Sequence, residues 1–249
     1  MSLDIRCVAV GGGGTMGLGI AQVSAMGGYE TRVYDVAKEQ LEKSAATVRR
    51  NLDKGVDRGK VAAEARDQAL NRLHWTTSLP EVCQGADLLI EAVPERLDLK
   101  FAFFAEAEKS LPESAIIASN TSALSITELG SGLTDPTRMV GMHFFNPVHL
   151  MKLVEVIRGL QTRPEAVETA FAVSERMGKT PVEVNEAPGF VTTRVNALIG
   201  NEAFTMLQEG VASARDIDTA LKLGLNHPMG PFELVDLVGL DTRLSILQF

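Results

Sequence analysis

Three glycines, Gly12, Gly14 and Gly17, stand between the apolar run Val8-Ala9-Val10 and a helix-compatible segment that opens at Thr15 and Met16. In a G-x-G-x-x-G turn the first glycine allows the tight turn. The second lets a pyrophosphate approach the backbone, and the third lets helix and strand pack closely. The N–H groups at the helix start then face the phosphates, helped by the helix dipole. A carboxylate follows where it is needed. Thr31-Arg32-Val33-Tyr34-Asp35 reads as a second strand, and Asp35 lies 18 residues beyond Gly17, near the roughly 20 at which an acidic residue bonds ribose hydroxyls. Glycine clusters often mark no more than loops. Here the strand before, the helix after and Asp35 make Gly12, Gly14, Thr15, Met16, Gly17 and Asp35 a dinucleotide site. Asp35 would repel a 2′-phosphate, so the cofactor is expected to be NAD rather than NADP.

The elements that must hold this site alternate. Over residues 3 to about 145 short apolar runs exchange with longer amphipathic ones, the pattern of a parallel sheet with helices on both faces. Helices are predicted over 15–27, 37–52 and 97–110, and strands over 87–93, 115–118 and 138–142. The stretch 54–72 carries mixed charge and few large apolar residues, so it is expected as a solvent-facing helical excursion. Strands at 153–157 and 181–184 flank a helix at 164–177. Beyond residue 185 the strand pattern stops. Val191, Val195, Leu198, Ile199, Ala203, Met206 and Leu207 recur at helical spacing, and two shorter helices follow at 213–224 and 232–239. The fold expected is α/β: a Rossmann-type doubly wound, mostly parallel sheet over residues 1–185, then a smaller all-helical domain over 186–249. That tail is too small to bury its apolar face alone, which predicts a homodimer through it.

Bulk properties narrow the function classes. The chain has 249 residues, 45% hydrophobic and 22% charged, an ordinary globular balance. A net charge of −8 argues against nucleic acid or an anionic membrane as partner. Cys7 and Cys83 are the two cysteines and show no metal-ligand spacing; Cys7 is expected to be buried in the first strand. The N-terminus enters a strand almost at once and no apolar run reaches a membrane span, so a cytoplasmic location is expected.

Further along, Ser119-Asn120-Thr121-Ser122, His143-Phe144-Phe145-Asn146-Pro147, Lys152-Leu153-Val154-Glu155-Val156 and Pro188-Gly189-Phe190-Val191 occur in that order. With the opening glycine turn and the closing His227-Pro228-Met229-Gly230-Pro231-Phe232-Glu233, they closely resemble the L-3-hydroxyacyl-CoA dehydrogenases, nearest the bacterial 3-hydroxybutyryl-CoA type. The resemblance covers essentially the whole chain. It implies NAD-dependent, reversible oxidation of the 3-hydroxyl of an acyl-CoA thioester. By position, His143 matches the family's catalytic histidine, Glu155 its carboxylate partner and Ser122 its contact to the substrate hydroxyl. A histidine supplies a base titrating near operating pH, and a carboxylate on its far nitrogen fixes the tautomer and stabilises the imidazolium. Glu95 and Lys100 match positions facing the ribose and nicotinamide half of NAD, with Asn120 beside them. Lys54 and Arg58 are the basic candidates for the CoA phosphates.

The sequence departs from the family pattern at Gly11, where a β-branched residue is usual and whose absence is expected to loosen the end of the first strand. Thr193 stands where many members carry Asn near the thioester, and is assigned to the substrate and catalytic set. The chain stops at Phe249, whereas members usually continue for a few dozen residues, which is expected to leave the helical domain partly uncovered. Two rival readings stand beside this one: another Rossmann β-hydroxyacid dehydrogenase, and a non-catalytic NAD-binding protein.

Overall fold

Strand β1 (Cys7–Gly11) is buried along its whole length and carries parallel neighbours on both sides, the reason every residue in it is small or apolar. The computed structural model describes residues 3–247. After β1 the chain turns into helix α1 (Thr15–Met26), returns as β2 (Glu30–Tyr34), and continues through α2 (Lys38–Asp57) and α3 (Ala63–Asn71) into β3 (Leu73–Thr76). Helix α4 (Leu79–Cys83) leads to β4 (Leu88–Glu91), α5 (Leu97–Ala107) to β5 (Ile116–Ser119), and α6 (Ile126–Ser131) to β6 (Met139–Phe144). Then come β7 (Leu153–Arg158), α7 (Pro164–Arg176) and β8 (Thr180–Asn185). The eight strands form one sheet in the order β3-β2-β1-β4-β5-β6-β7-β8. Pairing is parallel except between β6 and β7. From β1 the chain builds the sheet first one way and then the other. The crevice beyond the carboxyl ends of β1 and β4 is therefore the topological switch point, where open α/β sheets bind ligands.

The core has Val8, Val10, Ile90, Ile116, Val140, Met142 and Val156 on the sheet and Ile20, Val167 and Ala170 on α1 and α7. The stretch after residue 54 is helical and largely exposed, as expected, but it is anchored to the domain at Ala69. Ala69 on α3 is fully buried with Ala25, Val48 and Leu52, and Leu18 and Leu70 pack on them, so α2 and α3 cover α1. A small alanine at the contact lets the helices approach, which a count of large apolar residues does not register. Gly11 does not loosen β1 either. It pairs in register with Tyr34 and Glu91, and the Phe103 ring fills the space beside it, 2.1 Å from where a Cβ would lie.

The chain divides between Glu186 and Ala187. The second unit holds α8 (Thr192–Gln208), α9 (Ala214–Gly224), α10 (Pro231–Val238) and α11 (Leu240–Leu247). The Asp218 carboxylate caps α10, accepting from the Phe232 and Glu233 N–H groups at 2.9 and 3.0 Å, and Phe204 meets Phe232 edge-on at 5.1 Å. On α8 the residues Val195, Leu198, Phe204 and Leu207 are exposed. Among the described residues no helix is long and apolar enough to cross a membrane.

Candidate active site

The glycine turn is built as a cradle. Gly12 has φ +101°, in the left-handed region, and its N–H donates to Tyr34 O at 2.8 Å. A Cβ on Gly17 would lie 1.7 Å from Gly12 O, so α1 can pack this close to the turn only without one. A Cβ on Gly14 would meet nothing within 4 Å: open space lies against the backbone at the helix start. That space belongs to a cavity of about 860 Å³ lined by Gly12, Gly14, Thr15, Met16, Asp35 and Phe103, among others. Asp35 lies at the end of β2 and ties the turn to the next helix. One carboxylate oxygen accepts from Gly13 N–H at 2.8 Å, the other from Ala37 N–H at 3.0 Å. Each oxygen keeps a lone pair for a further donor. A bare backbone with helix N–H groups on one side and a half-exposed carboxylate on the other fits a dinucleotide.

Two strand ends away in the sheet, β6 and β7 run antiparallel with His143 directly opposite Glu155. Directly paired residues project to the same face. Register alone thus brings two residues 12 apart in sequence to 2.8 Å, His143 Nδ1 to Glu155 Oε2. Both are buried. The His143 ring also meets the Phe145 ring at a tilt of 49°, the centroids 4.5 Å apart. An ionised carboxylate can only accept, so against an ionised Glu155 the Nδ1 would carry the proton and leave Nε2 as the basic nitrogen.

The loop after β5 joins these two regions. Asn120 Oδ1 accepts from Phe144 N–H at 2.9 Å, next to His143. Ser122, half-exposed, donates its N–H to Glu95 Oε1 at 2.9 Å. The same oxygen takes the Thr121 hydroxyl. Lys100 lies behind Glu95: its side chain is 1% exposed against 36% for Glu95, and its ammonium is 3.2 Å from Glu95 and 2.6 Å from the fully buried Glu91. Lys54 and Arg58 are exposed, one turn apart at the end of α2. Thr193 lies in the second unit, half-exposed in the first turn of α8. Glu91, Thr121 and Phe103 were missed by the sequence reading. A charged residue closing the apolar strand Leu88-Leu89-Ile90-Glu91 is a signal for the first and the Ser119-Asn120-Thr121-Ser122 motif one for Thr121; nothing local points to Phe103. Among the described residues no cluster of His, Cys, Asp or Glu side chains could hold a metal ion.

These features agree with what the chain is similar to. Residues 7–187 match the family model of the 3-hydroxyacyl-CoA dehydrogenase NAD binding domain, and residues 189–249 that of the 3-hydroxyacyl-CoA dehydrogenase C-terminal domain. A probable 3-hydroxybutyryl-CoA dehydrogenase of Bacillus subtilis is 44% identical over 246 residues, 99% of this chain and 85% of the relative. A 3-hydroxybutyryl-CoA dehydrogenase of Clostridioides difficile is 42% identical, across 97% of this chain and 85% of the relative. The crystal structure of (S)-3-hydroxybutyryl-CoA dehydrogenase from Ralstonia eutropha superposes with a TM-score of 0.95 at 42% identity, covering 98% of this chain and 86% of that one. The chain belongs to the 3-hydroxyacyl-CoA dehydrogenase family. It is an NAD-dependent oxidoreductase with a Rossmann NAD-binding domain followed by a helical C-terminal domain.

Proposed function

We propose that the protein interconverts (S)-3-hydroxyacyl-CoA and 3-ketoacyl-CoA, with 3-hydroxybutyryl-CoA as its substrate. The observation that carries this is the buried His143–Glu155 pair toward the carboxyl end of β6, two strands from the switch-point crevice. When bound, NAD supplies the hydride acceptor for C3. In the direction of oxidation His143 Nε2 takes the hydroxyl proton, and Glu155 on Nδ1 stabilises the imidazolium that results. In the reverse direction the same imidazolium returns the proton. Ser122 holds the substrate oxygen within reach of His143. Gly12, Gly14, Thr15, Met16, Gly17 and Asp35 hold the dinucleotide, with Glu95, Lys100 and Asn120 toward its nicotinamide half. Lys54 and Arg58 attract the CoA phosphates, and Thr193 serves the thioester.

The relatives named as 3-hydroxybutyryl-CoA dehydrogenases support the short acyl chain. The exposed apolar residues of α8 support a homodimer through the helical domain, and sedimentation as a monomer at micromolar concentration would refute that part. A cytoplasmic location is the reading that goes with the bacterial relatives. The deciding experiment follows NADH formation with acyl-CoAs of increasing length and with free 3-hydroxy acids. Turnover highest on 3-hydroxybutyryl-CoA is expected; turnover on the free acids alone would sink the reading.

A further inference from the structure

Glu91 closes a strand whose other residues are apolar, and nothing of it reaches solvent. Burial pushes its carboxyl above the usual carboxylate range, while the Lys100 ammonium and hydrogen bonds from Ser119 and Val93 oppose that shift. The partners are unusually complete. Oε1 accepts from Lys100 Nζ at 2.6 Å and from Val93 N–H at 2.7 Å, and Oε2 accepts from Ser119 Oγ at 2.5 Å.

Two routes lead from this carboxylate to the same loop. The first runs through Lys100, whose ammonium is also 3.2 Å from Glu95 Oε2, to that carboxylate's other oxygen, Oε1, which takes the Thr121 hydroxyl and the Ser122 N–H. The second runs through Ser119 Oγ, which accepts from Thr121 N–H at 3.2 Å. At the loop's other edge Asn120 donates its N–H to the Glu91 carbonyl at 2.9 Å and accepts from Phe144 N–H beside His143. Two carboxylates thus share one ammonium. Three donors meet the Glu91 oxygens, the surroundings of a carboxylate that neutralises Lys100, so the charge of the more exposed Glu95 is left for the loop's hydroxyl and N–H. Without the charge on Glu91, Lys100 would draw wholly on Glu95 and pull its carboxylate from the placement that serves Thr121 and Ser122.

We infer that Glu91 is a positioning residue for the reaction: through Lys100 and Glu95, and through Ser119, it fixes the 119–122 loop so that Ser122 and His143 keep their mutual placement. This rests on the reading above, in which Ser122 and His143 act on the substrate hydroxyl. A pair that merely held the fold would not need the second carboxylate or end on Ser122.

The test is Glu91→Gln, alone and in a Ser122→Ala background, assayed for 3-hydroxybutyryl-CoA oxidation, with NADH binding followed by fluorescence and folding by urea unfolding. Alone, Glu91→Gln should lower kcat by about 10- to 100-fold while the KM for acyl-CoA moves less than about threefold and NADH binding weakens by less than the loss in kcat. In the Ser122→Ala background it should cost less than about twofold more, because the two residues act as a unit. An equal proportional loss in both backgrounds, or an unchanged kcat in folded Glu91→Gln, would overturn the inference. If Glu91→Gln does not fold, Thr121→Val cuts the same link at Glu95: a loss confined to kcat supports the inference and an unchanged kcat overturns it. If wild-type protein does not turn over the acyl-CoA, the functional reading fails by itself. Hydrogen exchange then decides the positioning: faster exchange across 119–124 in Glu91→Gln or Thr121→Val supports it, and unchanged exchange overturns it.

Discussion

His143 and Glu155 are held together by strand register: they are directly opposed across the antiparallel β6–β7 junction, with Nδ1 and Oε2 2.8 Å apart. A pair fixed by the sheet loses little binding when its chemistry is removed. His143→Ala should therefore lower kcat by roughly 10²–10⁴-fold, the worth of a general acid–base group, with a far smaller change in KM. Glu155→Gln should keep substrate binding and lose much of the rate. Steady-state kinetics of the two single variants and the double variant check this. A double variant no worse than His143→Ala fits the paired role, and full additivity would contradict it.

Phe103 and Gly11 form a second interlocked pair. A Cβ at residue 11 would lie 2.1 Å from Phe103 Cζ, and Phe103 also lines the cofactor cleft near Tyr34, the ring centroids 6.2 Å apart. Gly11→Ile should overpack this point and destabilise the protein by about 1–3 kcal/mol. It should also raise the KM for NAD by pushing the ring toward the cleft. Phe103→Ala opens a cavity and destabilises too, by about 3–5 kcal/mol in a tight core. Combined, the changes should compensate, so the urea-unfolding cost of the double variant should fall below the sum of the singles. Simple additivity would show that the ring does not occupy the missing side chain's place.

Asp35 both ties the turn, through Gly13 and Ala37 N–H, and faces the cleft. Its negative charge should make kcat/KM with NADH far exceed that with NADPH, since like charges in contact cost several kcal/mol. Asp35→Ser should narrow that ratio at least tenfold and raise the KM for NADH, because the turn loses an acceptor. Equal efficiency of wild-type protein with the two cofactors would sink the assignment.

How far the sequence alone reached follows from where its signals sit. The β1–turn–α1–β2 unit announces itself because an apolar run, spaced glycines and a carboxylate fall within one short stretch. Strand β3 escaped because it is an edge strand of four residues, Leu73-His74-Trp75-Thr76, none of them fully buried, so it has no apolar run to show. The role of Ala69 was hidden by its size. The motif residues His143 and Ser122 could be named, but what orients Ser122 could not. The Glu91–Lys100–Glu95 cluster joins residues on β4, on α5 and in the loop between them to a loop more than two dozen residues further on, and only the folded sheet brings them together.

Thr193 tests whether family roles transfer residue by residue. A threonine offers one hydroxyl on a short branched arm, where an asparagine offers a donor and an acceptor on a longer one. It can serve the thioester through a bridging water, which is enthalpically close to a direct bond. Thr193→Val should then cost roughly tenfold or less in kcat/KM, the worth of one neutral hydrogen bond at about 1 kcal/mol. Steady-state rates with 3-hydroxybutyryl-CoA check this. No change at all would make Thr193 a packing residue, and a thousandfold loss would give its hydroxyl a direct part in catalysis.

Lys179 should make stability depend on alkaline pH. Its ammonium is buried beneath the loop after β6, where Val148 O and Met151 O accept from it. Burial first, and the nearby Lys152 charge second, lower its pKa from 10.5 to about 8. The sign follows from proton counting. Below pH about 8 both the folded and the unfolded chain hold the proton, and the folded state bears the full cost of the buried charge. Between about 8 and 10.5 the unfolded chain still binds a proton that the folded chain has released, so this residue's contribution to stability rises with pH. Lys179→Met removes the titration. Whatever the variant's stability at pH 7.5, wild-type protein should gain on it between pH 7.5 and 9.5 in urea-unfolding experiments. Parallel pH profiles for the two proteins would show that the carbonyl cage holds the ammonium charged throughout.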